Sequence, residues 1–112
     1  MAGVHLSRQL LLERPARVPD GAGGFTQAWQ AIGALWAEVD MRQGRERGGE
    51  AVPLTATACR ITVRAARPGA PMRPLAGQRF REGARIFRIE AVAERDARGR
   101  YLTCFAREEA AL

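Results

Sequence analysis

The residue types that most often carry chemistry are scarce in this chain. Ser7 is the only serine, so a serine nucleophile with a positioned base has too few members. His5 is the only histidine, and its place beside the terminus is typical of an exposed side chain rather than of a catalytic base or ligand. Carboxylates close in sequence, Glu38 with Asp40 and those at 108–109, are typical of solvated positions. No phosphate-binding glycine motif is present. The sequence therefore predicts a protein that is not an enzyme and has no catalytic residue, metal site or cofactor.

Positive charge is the feature that most favours a binding function. The formal net charge is +6, and excess positive charge attracts phosphates through counterion release. All 18 basic residues are arginine. Together with the abundance of Ala and Gly, this indicates a GC-rich coding bias, so the use of Arg instead of Lys says little about function. Two interpretations of the charge stay open, a functional positive surface and a merely soluble one.

Length and composition indicate one globular domain spanning residues 1–112. The chain is 46% hydrophobic and 27% charged, which is typical of a folded domain. The uncharged stretch 25–37 is too short and too polar for a membrane span, and the N-terminal residues lack a signal-peptide cleavage site. We expect a cytoplasmic, unprocessed chain without a membrane partner. Cys59 and Cys104 lack C-x-x-C spacing and are expected to be buried free thiols.

The first half of the chain contains patterns for strands. Leu10 and Leu12 share a parity in the first, and Pro15 predicts that this strand lies at an edge or ends there. After a glycine-rich turn, residues 25–32 alternate weakly and residues 35–41 alternate well. A helix over 27–39 is the rival interpretation, but Gly33 in its middle favours two strands or a bend.

The second half shows the same alternation. In 57–64, Cys59, Ile61 and Val63 form the apolar face of a half-buried strand. Residues 78–81, 86–93 and 101–106 predict three further strands, with Phe87, Ile89 and Ala91 on one face of the second and the last two paired as neighbours. The fold class is therefore all-β, a small antiparallel β-barrel of six to seven short strands with long projecting loops, with a sandwich as the alternative.

The aromatic residues have two possible uses. They could stack on bases, as on some barrel surfaces that bind nucleic acid, but most lie on strands among apolar neighbours, which favours ordinary core packing. The exceptions are Trp29 and Trp36, which we regard as candidates for a subunit or neighbour-ring interface, where Trp is enriched.

The order of these features resembles a known protein family over nearly the whole chain. Its most characteristic pieces are the strand containing Trp36 and Ala37, an Ile-x-Val-Arg sequence at 61–64, and a Phe-x-Ile-x-x-Val strand at 87–92. Each piece is degenerate alone, but their order and spacing extend over about a hundred residues. The chain resembles the head-tail joining proteins (head completion or stopper proteins, or head-tail connectors) of long-tailed bacteriophages and gene transfer agents.

The resemblance implies a place in a particle. Such proteins are virion neck components that form a homo-oligomeric ring, hexameric or dodecameric, at the portal vertex after assembly in the bacterial cytoplasm. The portal or adaptor protein lies on the head side, a tail terminator or tail tube protein on the other, and packaged double-stranded DNA in the channel. The ring joins head to tail and gates the DNA channel. A different ring of the same neck is the alternative within this family.

The resemblance also implies two functional loops. A long inter-strand loop projects into the channel, and by position this is 43–51, where arginines could contact phosphate and glycines allow the loop to reorganise. The expected channel-facing residues are Arg42, Gly44, Arg45, Arg47, Gly48 and Gly49. A second irregular stretch, 67–78, is a candidate contact with a neighbouring ring through Pro68, Pro71 and Arg73. For both loops the alternative is an exposed, solvated linker.

The second function that we consider is a monomeric nucleic-acid-binding β-barrel. It would require exposed aromatics interleaved with arginine on one barrel face. Arg60, Thr62 and Arg64 share a face that, by the sequence pattern, contains no aromatic residue. This weakens the second function.

Overall fold

Six β-strands make up most of the described part of the chain, which a computed structural model covers at residues 3–42 and 56–109. The strands are β1 Arg8–Pro19, β2 Phe25–Met41, β3 Ala56–Arg64, β4 Arg79–Glu82, β5 Arg85–Glu94 and β6 Tyr101–Glu109. All pairings are antiparallel, and the strands close into a barrel in the order β1-β2-β3-β6-β5-β4. The predicted small antiparallel barrel is confirmed. Among the described residues, no helix could cross a membrane.

The core lies inside the barrel because successive side chains of a strand point to opposite faces. The predicted apolar face of β3 is the buried one, and the last two strands pair as expected. Phe80 and Phe87 are the largest fully buried side chains. The buried apolar residues are Leu10, Leu12, Ala37, Cys59, Ile61, Val63, Phe80, Phe87, Ile89, Leu102, Cys104 and Ala106.

One long strand, β2, replaces both earlier interpretations of residues 25–41. The division into two strands and the rival helix are wrong, and the bend is a β-bulge at Ile32: Leu12 lies opposite Gly33, whereas Glu13 lies opposite Ala31. A bulge inserts one residue into the alternation. It therefore places Trp29 and Trp36, an odd number of residues apart, on the same outer face of β2.

A second bulge corrects the prediction for β5. Phe87 and Ile89 are buried as expected, but Ala91 is exposed and the half-buried Val92 packs against the core instead. The register against β6 shifts between Ile89 and Ala91, so Glu90 is the extra residue. Alternation alone could not place this bulge, because it depends on pairing with a neighbouring strand.

Strand β1 passes through Pro15 and continues to Pro19, so the prediction of a strand end there is wrong and that of an edge is confirmed. β4 pairs only with residues 11–13 of β1, and beyond them β1 pairs only with β2. Proline is tolerated there because one edge needs no ladder hydrogen bond. We call residues 14–30, the two-stranded extension of β1 and β2 with its turn, the arm.

The arm turn is organised by Asp20. Its carboxylate accepts hydrogen bonds from the backbone N–H groups of Ala22 (2.8 Å) and Gly24 (3.0 Å). These N–H groups hold the pKa of Asp20 below its usual range. The positive φ angles of Gly21 and Gly23 suit glycine in the same turn.

The barrel has two distinct ends. At the loop end, β2 finishes and β3 begins, and the Arg42 N–H donates to the carbonyl oxygen of Ala58 at 2.9 Å. At the arm end, β3 leaves the barrel into residues 65–78, and the Ala65 N–H donates to the carbonyl oxygen of Arg100 at 2.9 Å. Nine residues of β3 separate the ends by roughly 26 Å. The two segments singled out as functional loops therefore leave the barrel at opposite ends.

Candidate assembly surfaces

The loop end includes the first residue of the predicted channel loop. Arg42 is exposed and follows the last residue of β2. The other residues expected to face the channel lie outside the described residues; these are Gly44, Arg45, Arg47, Gly48 and Gly49. Of the expected channel-facing residues, the structure places only Arg42, at the loop end of the barrel.

The remaining charges at the loop end compensate one another. Arg8 forms a bidentate ion pair with Glu82, and Arg85 forms one with Glu108 at 2.7 and 3.0 Å. The guanidinium of Arg8 lowers the pKa of Glu82, and that of Arg85 lowers the pKa of Glu108. Apart from Arg42, the positive charge of the described residues is thus largely neutralised at this end of the barrel.

Residues 65–78 form a docked cap at the arm end. Pro74 is fully buried, and the Met72 side chain lies so close to Gly33 that a β-carbon there would stand 2.8 Å from Met72 Sδ. Pro68 and Pro71 are exposed, and Arg73 is half-buried with Nη1 donating to the Ala66 carbonyl oxygen at 2.8 Å. A fully solvated linker is therefore wrong for this segment. A neighbour-ring contact through its exposed prolines stays a prediction.

The arm end carries the uncompensated positive charge. Strand β3 ends there, and the β5–β6 connection and the cap lie beside it. Five arginines of this end have no carboxylate within salt-bridge range in the described part of the chain: Arg64, Arg67, Arg73, Arg95 and Arg98. The described part of the barrel is therefore electrostatically polarised, with a basic surface at the end opposite Arg42.

The two tryptophans predicted at an interface differ in availability. Trp36 is 55% exposed and borders a groove of about 540 Å³ that Ala34, Leu35 and Arg64 also line. Trp29 is half-buried beneath its own chain, because the Arg79 guanidinium lies 4.2 Å from its ring centroid. Trp36 is thus the better placed to contact a partner.

Glu13 is a structural residue that the sequence patterns missed. It is buried, and Arg79 Nε donates to its carboxylate at 2.6 Å while Arg81 Nε lies 3.4 Å away. Arg79 therefore bridges a buried carboxylate and the ring of Trp29. No local signal reveals this arrangement, because Glu13 and Arg79 are 66 residues apart in sequence.

Arginine and aromatic side chains lie closer together than their strands predict. Arg60 faces Phe105 with 5.4 Å from guanidinium carbon to ring centroid, and Arg64 lies directly opposite Tyr101. The inference that this face lacks aromatics is therefore wrong, because β6 supplies them. The prediction that most aromatic residues pack in the core is also wrong, because only Phe80 and Phe87 are buried.

Both cysteines are buried free thiols, as predicted. Burial raises the pKa of Cys59 to about 11 and that of Cys104 to about 12. Among residues 3–42 and 56–109, no cluster of three metal-ligating side chains occurs.

Comparisons with known proteins agree with this architecture. The family described as "Phage head completion protein" matches residues 1–109. A solved structure described as "Virion of native gene transfer agent (GTA) particle" contains a chain that is 55% identical, with full coverage of both chains and a TM-score of 0.77. No curated protein matches the sequence.

Proposed function

This chain belongs to the phage head completion protein family, and we propose that it forms a ring in the particle neck, between the portal or adaptor and the tail. It is a structural virion protein rather than an enzyme. The 55% identity to a chain of a gene transfer agent virion over its full length supports this place in a particle.

The observation that carries the proposal is the separation of two unlike ends by one rigid barrel. A ring around a DNA channel must face the DNA on its inner side and contact other proteins elsewhere, so the surfaces for these unlike partners have to lie apart. The loop end carries Arg42 and compensated ion pairs, and the arm end carries the basic surface and the exposed Pro68 and Pro71. We assign the loop end to the DNA channel and the arm end to a neighbouring ring.

A ring would combine many weak contacts with DNA into a strong one. The arginines at 42, 45 and 47 of one subunit offer only a few phosphate contacts, but a closed ring repeats them in every subunit. Six or twelve copies would surround the packaged DNA with positive charge and gate its exit.

The alternative, a monomeric nucleic-acid-binding barrel, is favoured by the Arg60–Phe105 and Arg64–Tyr101 pairs. Phe105 is only 37% exposed and already has a guanidinium over its ring. Little of that ring is therefore free for base stacking. We regard this function as the second candidate.

Electron cryomicroscopy of purified particles from the source organism tests the proposal. We expect a ring of this chain at the portal vertex, with Arg42 directed toward the axis. Absence from particles, together with tight salt-dependent binding of the free monomer to single-stranded DNA, would replace the proposal by the second candidate.

A variant tests the channel assignment. Replacing Arg42, Arg45 and Arg47 together by alanine should leave the ring in place and lower the amount of DNA retained in heads. The matched control replaces Arg88 and Arg107, which pair with exposed carboxylates elsewhere on the barrel, and should leave DNA retention unchanged. Equal retention in both variants would contradict a channel role for the loop end.

A further inference from the structure

The outer half of β2 has an unpaired edge. β3 pairs with β2 only from Ala37 to Met41, whereas residues 25–36 have β1 on one side and, among the described residues, no backbone partner on the other. Because alternate residues of an antiparallel strand direct their backbone N–H and C=O groups to opposite sides, about half of these residues present those groups at the unpaired edge. Such a row is a template for another strand.

This edge lacks the features by which proteins protect exposed strands. Residues 25–36 contain no charged residue and no proline. The other edge of the arm carries Arg14, Pro15, Arg17 and Pro19, the types that block strand addition. A two-stranded ribbon is marginally stable alone, and a third strand would support it.

The grooves on both sides of the edge determine the chemistry of an occupant. One contains the exposed ring of Trp36 beside Leu35 and Arg64. The other, of about 560 Å³, is lined by Ile32 and Leu75 together with Arg14, Arg73 and residues of the cap. Arg14 donates to the side-chain oxygen of Gln30, and in the described part of the chain none of the three arginines has a carboxylate partner.

Building on the proposed function, we infer that the edge of β2 at residues 25–36 binds an extended, acidic and apolar segment of a different protein of the particle as an added strand. Backbone hydrogen bonds would provide affinity, and alternating side chains would provide specificity. Apolar side chains of the segment lie against Trp36 and Leu35, and its carboxylates face Arg64 on one side and Arg73 on the other.

A second copy of this chain fits the edge less well. The other arm edge of such a copy would bring Arg14 and Arg17 toward Arg64 and Arg73, and like charges oppose docking. The β2 edge of a second copy is uncharged and offers these arginines no carboxylate. DNA also fits poorly, because half of the exposed backbone groups are carbonyl acceptors, which phosphates cannot pair with.

The first test is the electron density of assembled particles around residues 25–36. We expect a strand of another protein hydrogen-bonded to β2, with an Asp or Glu within 4 Å of Arg64 or Arg73. A ring in the neck with this edge bare, or paired with a second copy, would overturn the inference and leave the proposed function intact. Absence of the chain from the particle would overturn both.

A second test changes the charge of the edge. Ala34→Glu places a carboxylate at an exposed position of the strand and should repel an acidic segment, reducing the yield of tailed particles by about tenfold or more. Ala34→Thr, uncharged and favourable in strands, should stay near the wild-type yield. Thermal unfolding of each purified chain checks that both variants fold. An equal yield from both folded variants would contradict the inference.

The oligomeric state of the purified chain is the third test. We expect a monomer by light scattering at micromolar concentration. A dimer that Ala34→Glu dissociates and Ala34→Thr preserves would identify the occupant as a second copy and overturn the proposed partner.

Discussion

Arginine side chains occur in three settings in this barrel, and the settings have different energetic consequences. Arg79 contacts the buried carboxylate of Glu13. Arg107 forms an exposed pair with Glu90, of a kind that contributes little to stability. Arg64 has no carboxylate partner among the described residues. The Arg79–Glu13 pair therefore stabilises the fold, whereas the charge of Arg64 is not neutralised by any carboxylate of the described residues.

Glu13→Ala is expected to destabilise the protein by about 3 kcal/mol, because it leaves the partly buried guanidinium of Arg79 without its carboxylate. Urea unfolding followed by circular dichroism measures the change. Glu90→Ala is the matched control and should change the free energy of unfolding by about 1 kcal/mol or less. Equal losses in the two variants would show that the Glu13 pair has no special importance.

The two cysteines should be protected from thiol reagents in the folded protein. The thiolate is the reactive form, and burial raises the pKa of Cys59 to about 11 and that of Cys104 to about 12. With a chromogenic disulfide at pH 8, we expect both to react slowly in the native state, Cys104 more slowly than Cys59, and both rapidly in urea. Rapid native reaction of Cys104 would show that the barrel opens readily at β6.

At the scale of elements, bulges and unequal strand lengths add outer surface to a regular barrel. The bulge at Ile32 places both tryptophans on the outer face, and because β4 is short, no third strand of the described part of the chain pairs with the arm. Phe25 at the arm tip is 56% exposed, and the Arg17 guanidinium lies 4.4 Å from its ring centroid. The arm therefore contributes surface for contacts more than it contributes core.

Phe25→Ala should change the free energy of unfolding by less than about 0.5 kcal/mol, because the ring lies outside the core. Phe87→Ala, the matched core substitution, should cost about 3 to 5 kcal/mol, because it removes a fully buried ring. Chemical unfolding of both variants gives the comparison. A large loss from Phe25→Ala would mean that the arm is integral to the barrel's stability.

At the scale of the whole molecule, the charges are unevenly distributed, and this distribution determines the expected response of stability to acid. Ion pairs are concentrated at the loop end and unpaired arginines at the arm end, so the net charge of +6 is unevenly distributed. The two ends therefore differ in net charge and in their expected response to pH.

The melting temperature should fall as the pH drops below about 4.5. The folded-state pKa values of Glu82 and Glu108 are held below the ordinary value of 4.5 by Arg8 and Arg85. Their stabilisation is therefore complete above the unfolded pKa and is lost as the pH falls through the folded pKa. Calorimetry of the double variant Glu82→Gln and Glu108→Gln should show a smaller fall of the melting temperature as the pH decreases.

The matched control for this pH dependence is Glu90→Gln, which removes an exposed carboxylate and leaves the Arg8 and Arg85 pairs intact. Between pH 5 and pH 3, the melting temperature of this variant should fall nearly as steeply as that of the wild type. If the melting temperature of the double variant falls as steeply, the acid response arises elsewhere in the molecule.

The sequence by itself determined the elements whose signals are local. Alternation identified the buried face of β3, the pairing of β5 with β6 and the all-β barrel. The family followed from the order of short motifs. These properties depend on side-chain type and on a period of two, which a single strand displays without knowledge of its neighbours.

Tertiary structure decided everything that depends on pairing between distant strands. It located the bulges at Ile32 and Glu90, brought Glu13 to Arg79, and supplied aromatics to the face of Arg60. It also placed the points where the two loop segments leave the barrel at opposite ends and, among the described residues, left one edge of β2 without a partner. These features could not be predicted because register, burial of a charge and an unpaired edge are relations between segments, and no single segment encodes them.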